Sequence, residues 1–511
     1  MMEELNERAR IFLLDVWTLA IACMQFGDSC KGKVIDCLAP WADIIVRGVG
    51  GPNTGNTVRV GNVEIVLHLL PAGILHPNIL NLIGKGVAVD PKVLLEELTG
   101  LRQVGFSGDN LKVSLAAKLI LPHDILLDRV GDAARGTKKI GTTGRGMGPC
   151  AVSHVNRVGP VVNDLLNETV FRRKLEANLE VTLRLLRTYD PEVIRQVLQI
   201  EQLEGGRYWH PEKLIDADAI AERYLGFGRE LAPLIADTDA IVQEALGRKR
   251  IILAGSQGNL LSLDDGTYPY VTPADCTPRG LAKGAGIRER NIDFTIGVVK
   301  AFVMSRVGGG PFPTEFGGER SVTHCDGMTR AKELAEYSNV SVNDPDELRQ
   351  GFAFRHKGDE YGATTGRARR LGWLDLPLLR HSRHLLTPRA ALAVTKLDTQ
   401  DEAETIKICT GYTYVGPDYR RGSTIFRTGD VIREAVMDVD ILAHCEPLYE
   451  TFPGWRTPIR HLRNSNKIPQ ELFQPLRLVE NEMGTPIMLL SVGSDREDTI
   501  FVDPLRLAWK G

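Results

Sequence analysis

Short runs of aliphatic and β-branched residues recur along this chain, each ending abruptly in glycine and polar residues, with longer stretches between them whose apolar positions fall three and four apart. The second half of "IFLLDVWTLAIACMQF" reads as a buried strand leading into "GDSCKGK". Likewise "ADIIVRGVGGPNTGNTV" reads as a strand followed by a glycine loop, "RKRIILAGSQGNLL" as strand, loop and onward chain, and "ALAVTKLD" as a strand ending in polar residues. Runs that are apolar on both faces belong to a parallel sheet covered by helices, so the pattern predicts an α/β fold built as one large domain around a mostly parallel sheet. Ligands of such sheets collect beyond the carboxyl ends of the strands, where the glycine and polar residues fall here. From about 164 to 250, "VFRRKLEANLEVTLRLLRTY" and "DADAIAERYL" carry helical periodicity with charged faces and predict a helical subdomain. The stretch from about 316 to 358, which includes "SVNDPDEL", has no strong apolar period and reads as a surface insertion. Residues 1–15 read as an N-terminal extension and 16–511 as the domain proper.

Composition narrows the class of partner. The chain has 511 residues, 43% of them apolar, enough for a sizeable core. Its net charge of -3, from 62 basic and 65 acidic side chains, gives no reason to expect nucleic-acid or membrane-surface binding and points to small molecules or other folded chains. Asp15 interrupts the early apolar run, which is too short to span a bilayer. The eight cysteines are scattered, form no C-x-x-C and follow no secretory leader, so reduced thiols in a cytoplasm are expected. His381 and His384 have i,i+3 spacing without a Cys or carboxylate partner at a zinc spacing, and are assigned to a helix surface.

Candidate chemistry starts at Gly27. From there the chain reads Gly, four residues, Gly32 and Lys33, the spacing of a phosphate-binding loop, but Val34 stands where a magnesium-binding hydroxyl belongs. Converging backbone N–H groups with Lys31 or Lys33 can hold a nucleotide phosphate, and Asp28 is the hard oxygen donor inside the loop, able to bind a cation or act as a base. A glycine turn with solvated lysines is the alternative. "TKLD" follows an apolar strand, and the Asp398 carboxylate can accept from both N1–H and the 2-amino group of guanine, which points to GTP rather than ATP. A strand-end Lys396 and Asp398 also suit a plain surface pair.

"GTTGRG", "GTYPYVT", "GPFPTE" and "GATTGR" complete a set of polar, glycine-punctuated loops, and with them the chain resembles the adenylosuccinate synthetases from about Gln25 to Pro504. The resemblance implies a P-loop-like α/β fold, a homodimer, and a magnesium-dependent ligase that uses GTP to phosphorylate the 6-oxygen of IMP before L-aspartate displaces the phosphate. It implies that Asp28 takes the N1 proton and ligates Mg²⁺ together with the Gly55 carbonyl, with Lys31 beside them. IMP contacts fall on Asn53, Thr143, Gln257, Thr272 and Arg367, and on Arg157, which enters the partner subunit's site. Thr364, Thr365, Arg367 and Arg369 match the loop that clamps the aspartate carboxylates, a task that suits the guanidinium fork. GTP contacts fall on Gly27, Gly32, Lys33 and Arg369, with Lys396 and Asp398 reading guanine and Ser491 and Gly493 closing over the base.

Two departures stand out. The family loop reads GDEGKGK, whereas Ser29 and Cys30 here replace its Glu and Gly, and Asn56 occupies the place of a histidine that assists phosphoryl transfer. Asparagine can donate a hydrogen bond but cannot carry charge, and losing such a partner costs on the order of 10²- to 10³-fold in rate. His68 is near in sequence and suits a buried structural role equally. Three readings stay open at this point: an IMP ligase with a slower phosphoryl step, a paralogue acting on another oxo-purine such as a guanine nucleotide, and a weakened nucleotide-binding regulatory homologue.

Overall fold

Strand Thr18–Cys23 is buried along its whole length and lies between two parallel neighbours, Phe294–Lys300 and Ile251–Ala254. The computed structural model describes residues 13–60, 63–136, 139–203, 211–362 and 366–502. Among these, eleven strands form the main sheet, and from Ile487–Ser491 to Ile235–Ala236 every pairing is parallel; the edge strand Thr499–Phe501 alone runs antiparallel. The expected strands are present as Thr18–Cys23, Ile44–Gly50, Ile251–Ala254 and Ala390–Thr395. Their β-branched and alanine side chains pack both faces, which is why each run is apolar throughout rather than alternating.

Helices cover the sheet. In the segment 164–250 they are Glu168–Leu186, Pro191–Leu203, Ala217–Leu231 and Thr238–Ala245. Asn167, Asp216 and Asp237 cap three of them by accepting from Val170, Ala219 and Ala240 N–H. Phe171, Leu175, Ile220 and Tyr224 from this layer share one core with the sheet residues Ile45, Ile83 and Val113. Leu13, from the stretch read as an extension, is buried in that same core. A second sheet, Val303–Arg306, Arg370–Asp375, Thr405–Tyr414, Val431–Ile432 and Cys445–Pro453, stands beside the first. The segment 316–358 folds into helices Glu319–Cys325, Arg330–Glu336 and Glu347–Gly358, with Phe316 and Phe354 stacked 5.6 Å apart and both set edge-on to Trp373. No helix among the described residues is long and apolar enough to cross a membrane, and all eight cysteines are free thiols. His381 bonds the Asp265 carbonyl and His384 pairs with Glu434.

Asp375, at the junction of the second sheet and helix Leu376–His384, makes the core sensitive to pH. Its Oδ1 accepts from Leu378 N–H at 3.1 Å and from the Tyr412 hydroxyl at 2.6 Å, while Oδ2 is buried without a partner. Burial pushes the carboxyl up to about 7, against the Tyr412 bond. A folded-state value above the unfolded one means stability that is present at low pH and lost as pH rises toward 7. Asp375→Asn has no such loss, so its melting temperature relative to the unmodified protein should rise by a few degrees between pH 5 and pH 8. Parallel melting curves with a constant gap at both pH values would rule this out.

Candidate active site

Five adjacent parallel strands end on the same side of the sheet, and the loops that leave them carry the candidate residues. Thr18–Cys23 delivers the phosphate loop, Ile44–Gly50 the Asn53–Asn56 turn, Ile251–Ala254 the Gln257 turn, Phe294–Lys300 ends at Lys300 itself, and Ala390–Thr395 runs into Lys396. The phosphate loop holds Gly27, Asp28 and Cys30 at φ of 89°, 48° and 59°. That left-handed backbone at Cys30 is the conformation a glycine adopts without cost, so the side chain there is strained. Cys30 precedes helix Lys31–Leu38 without a side-chain cap, leaving the first N–H groups of the helix directed at the loop.

Several predicted residues are in direct contact. Asp28 Oδ2 pairs with Arg369 Nε at 2.7 Å. Lys31 Nζ donates to the Gln257 carbonyl at 2.5 Å, and Gln257 Nε2 donates to Asn53 Oδ1 at 3.0 Å, tying three loops together. Gln257 has a φ of 44°, and the following Gly258 lies so close to the phosphate loop that a Cβ there would stand 2.0 Å from the Gln25 carbonyl oxygen. Asn56 opens the hairpin Asn56–Val60 with Val63–Leu67, and its Cβ would stand 3.1 Å from a Cβ placed on Gly32, so it borders the loop. His68 Nδ1 lies 2.6 Å from the Thr54 carbonyl, and its backbone N–H donates to Glu97.

Other predicted residues are placed differently. Lys33 Nζ is buried and donates to Ser491 Oγ at 2.7 Å, Gly493 O at 2.7 Å and Asp498 O at 3.0 Å, so it joins the loop to the C-terminal segment assigned to the base. Lys396 Nζ donates to the Gly358 carbonyl, while Asp398 is half-buried and its carboxyl is pushed up by burial against the pull of Lys396 and Lys33. Thr272 Oγ1 is buried with no partner, as is Ser29 Oγ. Thr143 lies in a turn that Asp128 and Asp132 anchor through the N–H groups of Gly146, Ile140 and Gly141. Arg157 is exposed at φ 65°, just past helix Met147–Val155, with Val152 and Val155 exposed beside it. Thr364 and Thr365 lie outside the described residues.

The structure adds residues that the sequence reading missed. Glu360 is buried between Lys300 Nζ at 2.5 Å, Arg369 Nη1 at 3.0 Å and Lys396 Nζ at 3.6 Å. Burial alone pushes its carboxyl up, yet these three cations overcome that and hold it well below the carboxylate range. Arg306 lies with its guanidinium 4.0 Å from the Phe26 ring centre, donates to Gly309 O and Thr267 Oγ1, and keeps Nη1 buried without a partner. Burial, with Arg370 adding to it, lowers the proton affinity of Arg306 well below the usual. A basic residue closing a β-branched run, as in "FTIGVVK", is the one local signal that could have pointed to Lys300. Taken together, the site offers a carboxylate beside a guanidinium, a helix start with free N–H groups facing the loop, and unpaired buried donors at Thr272 and Arg306.

Comparison with known proteins shows the family. A family model described as adenylosuccinate synthetase matches residues 20–500. The adenylosuccinate synthetase of Halothermothrix orenii is 38% identical over 478 residues, covering 93% of this chain and 96% of that protein. Among solved structures, fully ligated adenylosuccinate synthetase from Plasmodium falciparum superposes with a TM-score of 0.75 at 28% identity, covering 95% of this chain and 99% of that one. The succinoaminodeoxyadenylate synthetase of cyanophage S-2L, bound to dGMP and to dATP as an energy donor, aligns over 96% of this chain and 97% of its own at 16% identity and a TM-score of 0.50, which shows a shared fold alone.

Proposed function

This chain belongs to the adenylosuccinate synthetase family, and from that membership we propose that it joins L-aspartate to IMP with GTP as phosphoryl donor. The supporting observation is the convergence of the Asn53–Asn56 turn, the Gln257 turn and Arg369 on the phosphate loop that carries Asp28. Asp28 removes the N1 proton of IMP, which makes the 6-oxygen nucleophilic toward the γ-phosphoryl group of GTP. Lys31 and the helix start bind the phosphates, and Asn56 donates to a transferring oxygen. The amine of aspartate then attacks C6, and phosphate leaves with the 6-oxygen. Asn53, Thr143, Gln257, Thr272 and Arg367 hold IMP, while Thr364, Thr365, Arg367 and Arg369 hold the aspartate carboxylates. Lys396, Asp398, Ser491 and Gly493 hold the guanine.

The donor set also fits magnesium. No group of three His, Cys, Asp or Glu among the described residues could cage a metal, and Mg²⁺ characteristically takes one or two carboxylates with substrate phosphates and waters. Asp28 and the Gly55 carbonyl would hold it, and when bound it neutralises charge on the phosphates. We place the enzyme in the cytoplasm as a homodimer in which Arg157 reaches the partner's IMP, the exposed Val152 and Val155 lying beside it. Neither alternative is favoured: the likeness to the cyanophage protein shows the fold alone, and a regulatory homologue has no need of the Asp28 and Arg369 pair.

Purified protein with GTP, Mg²⁺, aspartate and a panel of IMP, GMP and dGMP should yield adenylosuccinate from IMP, identified by mass. The neutral amide at Asn56 leaves phosphoryl transfer short of one charge, and Asn56→His should raise the rate on IMP by about 10-fold or more. Efficient conversion of a guanine nucleotide, with IMP left untouched by both proteins, would replace this reading with the paralogue.

A further inference from the structure

Glu333 is a fully buried carboxylate at which side chains from three helices and a loop meet. Arg355 donates Nε to Oε2 and Nη2 to Oε1, each at 2.9 Å. The Tyr361 hydroxyl donates to Oε2 at 2.6 Å, and His324 Nε2 lies 2.7 Å from Oε1. His356 Nε2 stands 3.6 Å from Oε2. Burial by itself pushes the Glu333 carboxyl up, but the Arg355 fork with the Tyr361 and His324 bonds outweighs it and keeps the group ionised, below its usual range. Apart from Tyr361, every member of this hub lies in the segment 316–358, which the reaction described above leaves without a task.

Two arms run from the hub to the arginine loop. In the first, Arg355 Nη1 donates to the Arg369 carbonyl, and Tyr361 forms an antiparallel bridge with Ala368. In the second, Thr329 caps helix Arg330–Glu336, which carries Glu333, and also forms an antiparallel bridge with Arg367. Ala368 N–H donates to the Met328 carbonyl at 3.0 Å, and Arg369 N–H to the Glu360 carbonyl at 3.0 Å. The backbone of Arg367 through Arg369 is thus held on both sides by elements that one carboxylate pins together.

We propose that Glu333 is a positioning residue for L-aspartate: through Tyr361, Arg355 and the Thr329 turn it fixes Arg367 and Arg369 at the spacing that two carboxylates require. The proposal rests on the ligase reading, and it gives segment 316–358 the role of setting affinity for the amino acid. Two guanidiniums must match two carboxylates in one geometry, so a small displacement of their backbone weakens that substrate most, whereas IMP and GTP, which take one arginine each from this loop and the rest of their contacts from other loops, lose little.

The test is a set of KM values for all three substrates on the full chain, unmodified and as Glu333→Gln and Tyr361→Phe. Glu333→Gln should raise the aspartate KM by about 10-fold or more, with the IMP and GTP values moving less than about 2-fold and kcat at saturating aspartate less than about 3-fold. Tyr361→Phe, which removes one hydrogen bond and little volume, should shift the aspartate KM in the same direction by less. An equal rise in all three KM values, or an unchanged aspartate KM, overturns the proposal. If Glu333→Gln does not fold, Tyr361→Phe decides by the same criterion. Failure of the ligase reading would show separately, as an absence of adenylosuccinate from the unmodified protein, and would take this proposal with it.

Discussion

Asp28→Asn will leave a folded protein whose ligation rate falls by about 10²-fold or more, toward the 10⁴-fold end of what loss of a general base costs. The expectation rests on position. Asp28 sits in the tight turn of the phosphate loop at φ 48°, a conformation asparagine also tolerates, so the substitution preserves the backbone. It removes the carboxylate that faces Arg369, and with it the proposed proton acceptor for N1 and the proposed charged oxygen for magnesium. Circular dichroism and melting temperature should stay close to those of the unmodified protein. Retention of more than about a tenth of the activity would sink the assignment, because removal of a general base costs at least 10²-fold.

The second large effect is nucleotide choice. Asp398 is half-buried, and burial already pushes its carboxyl upward, so it is a group short of donors in the absence of a base. Guanine supplies two, from N1–H and the 2-amino group; adenine supplies neither in that arrangement and would leave the carboxylate desolvated and unpaired. GTP should therefore be preferred to ATP by about 10²-fold or more in kcat/KM, in line with sites that read a substrate by its hydrogen bonds. Asp398→Asn, which offers one acceptor and one donor, should narrow that ratio chiefly by weakening GTP. Equal rates with ATP and GTP from the unmodified protein would reduce "TKLD" to the end of a strand.

Much of this was legible in the chain because local pattern carries it. The apolar runs before Gly27, Gly50, Gly255 and Lys396 place the strands, and glycine marks where the first three open into a loop. Partnerships across the sequence were not legible. Lys300 and Glu360 are 60 residues apart, and nothing in "DEYG" says that its glutamate is buried among three cations. Lys33 reads as a phosphate lysine by spacing, yet its ammonium is occupied by carbonyls some 460 residues away. The missing apolar period in 316–358 also has a physical cause. Two of its helices have seven residues, too few for a period to show, and its interior is built on Glu333 and Arg355 as well as on Phe316, Phe352 and Phe354.

The tie between Lys33 and the segment Ser491–Asp498 has a consequence for how the molecule is made. Asp36 extends that tie with two hydrogen bonds to Arg496, at 2.6 and 2.7 Å, so the helix after the phosphate loop is fastened at both its first and second turns to the far end of the chain. At translation speeds of roughly 5–20 residues per second, the first strand waits about half a minute or longer for those partners to leave the ribosome. Until then the Lys33 ammonium and the Asp36 carboxylate stay hydrated, and the loop cannot close around them without burying unpaired charge. The phosphate loop therefore closes only after residues 491–498 have emerged, and a nascent chain that stops short of them carries the whole motif without the partners of Lys33 and Asp36.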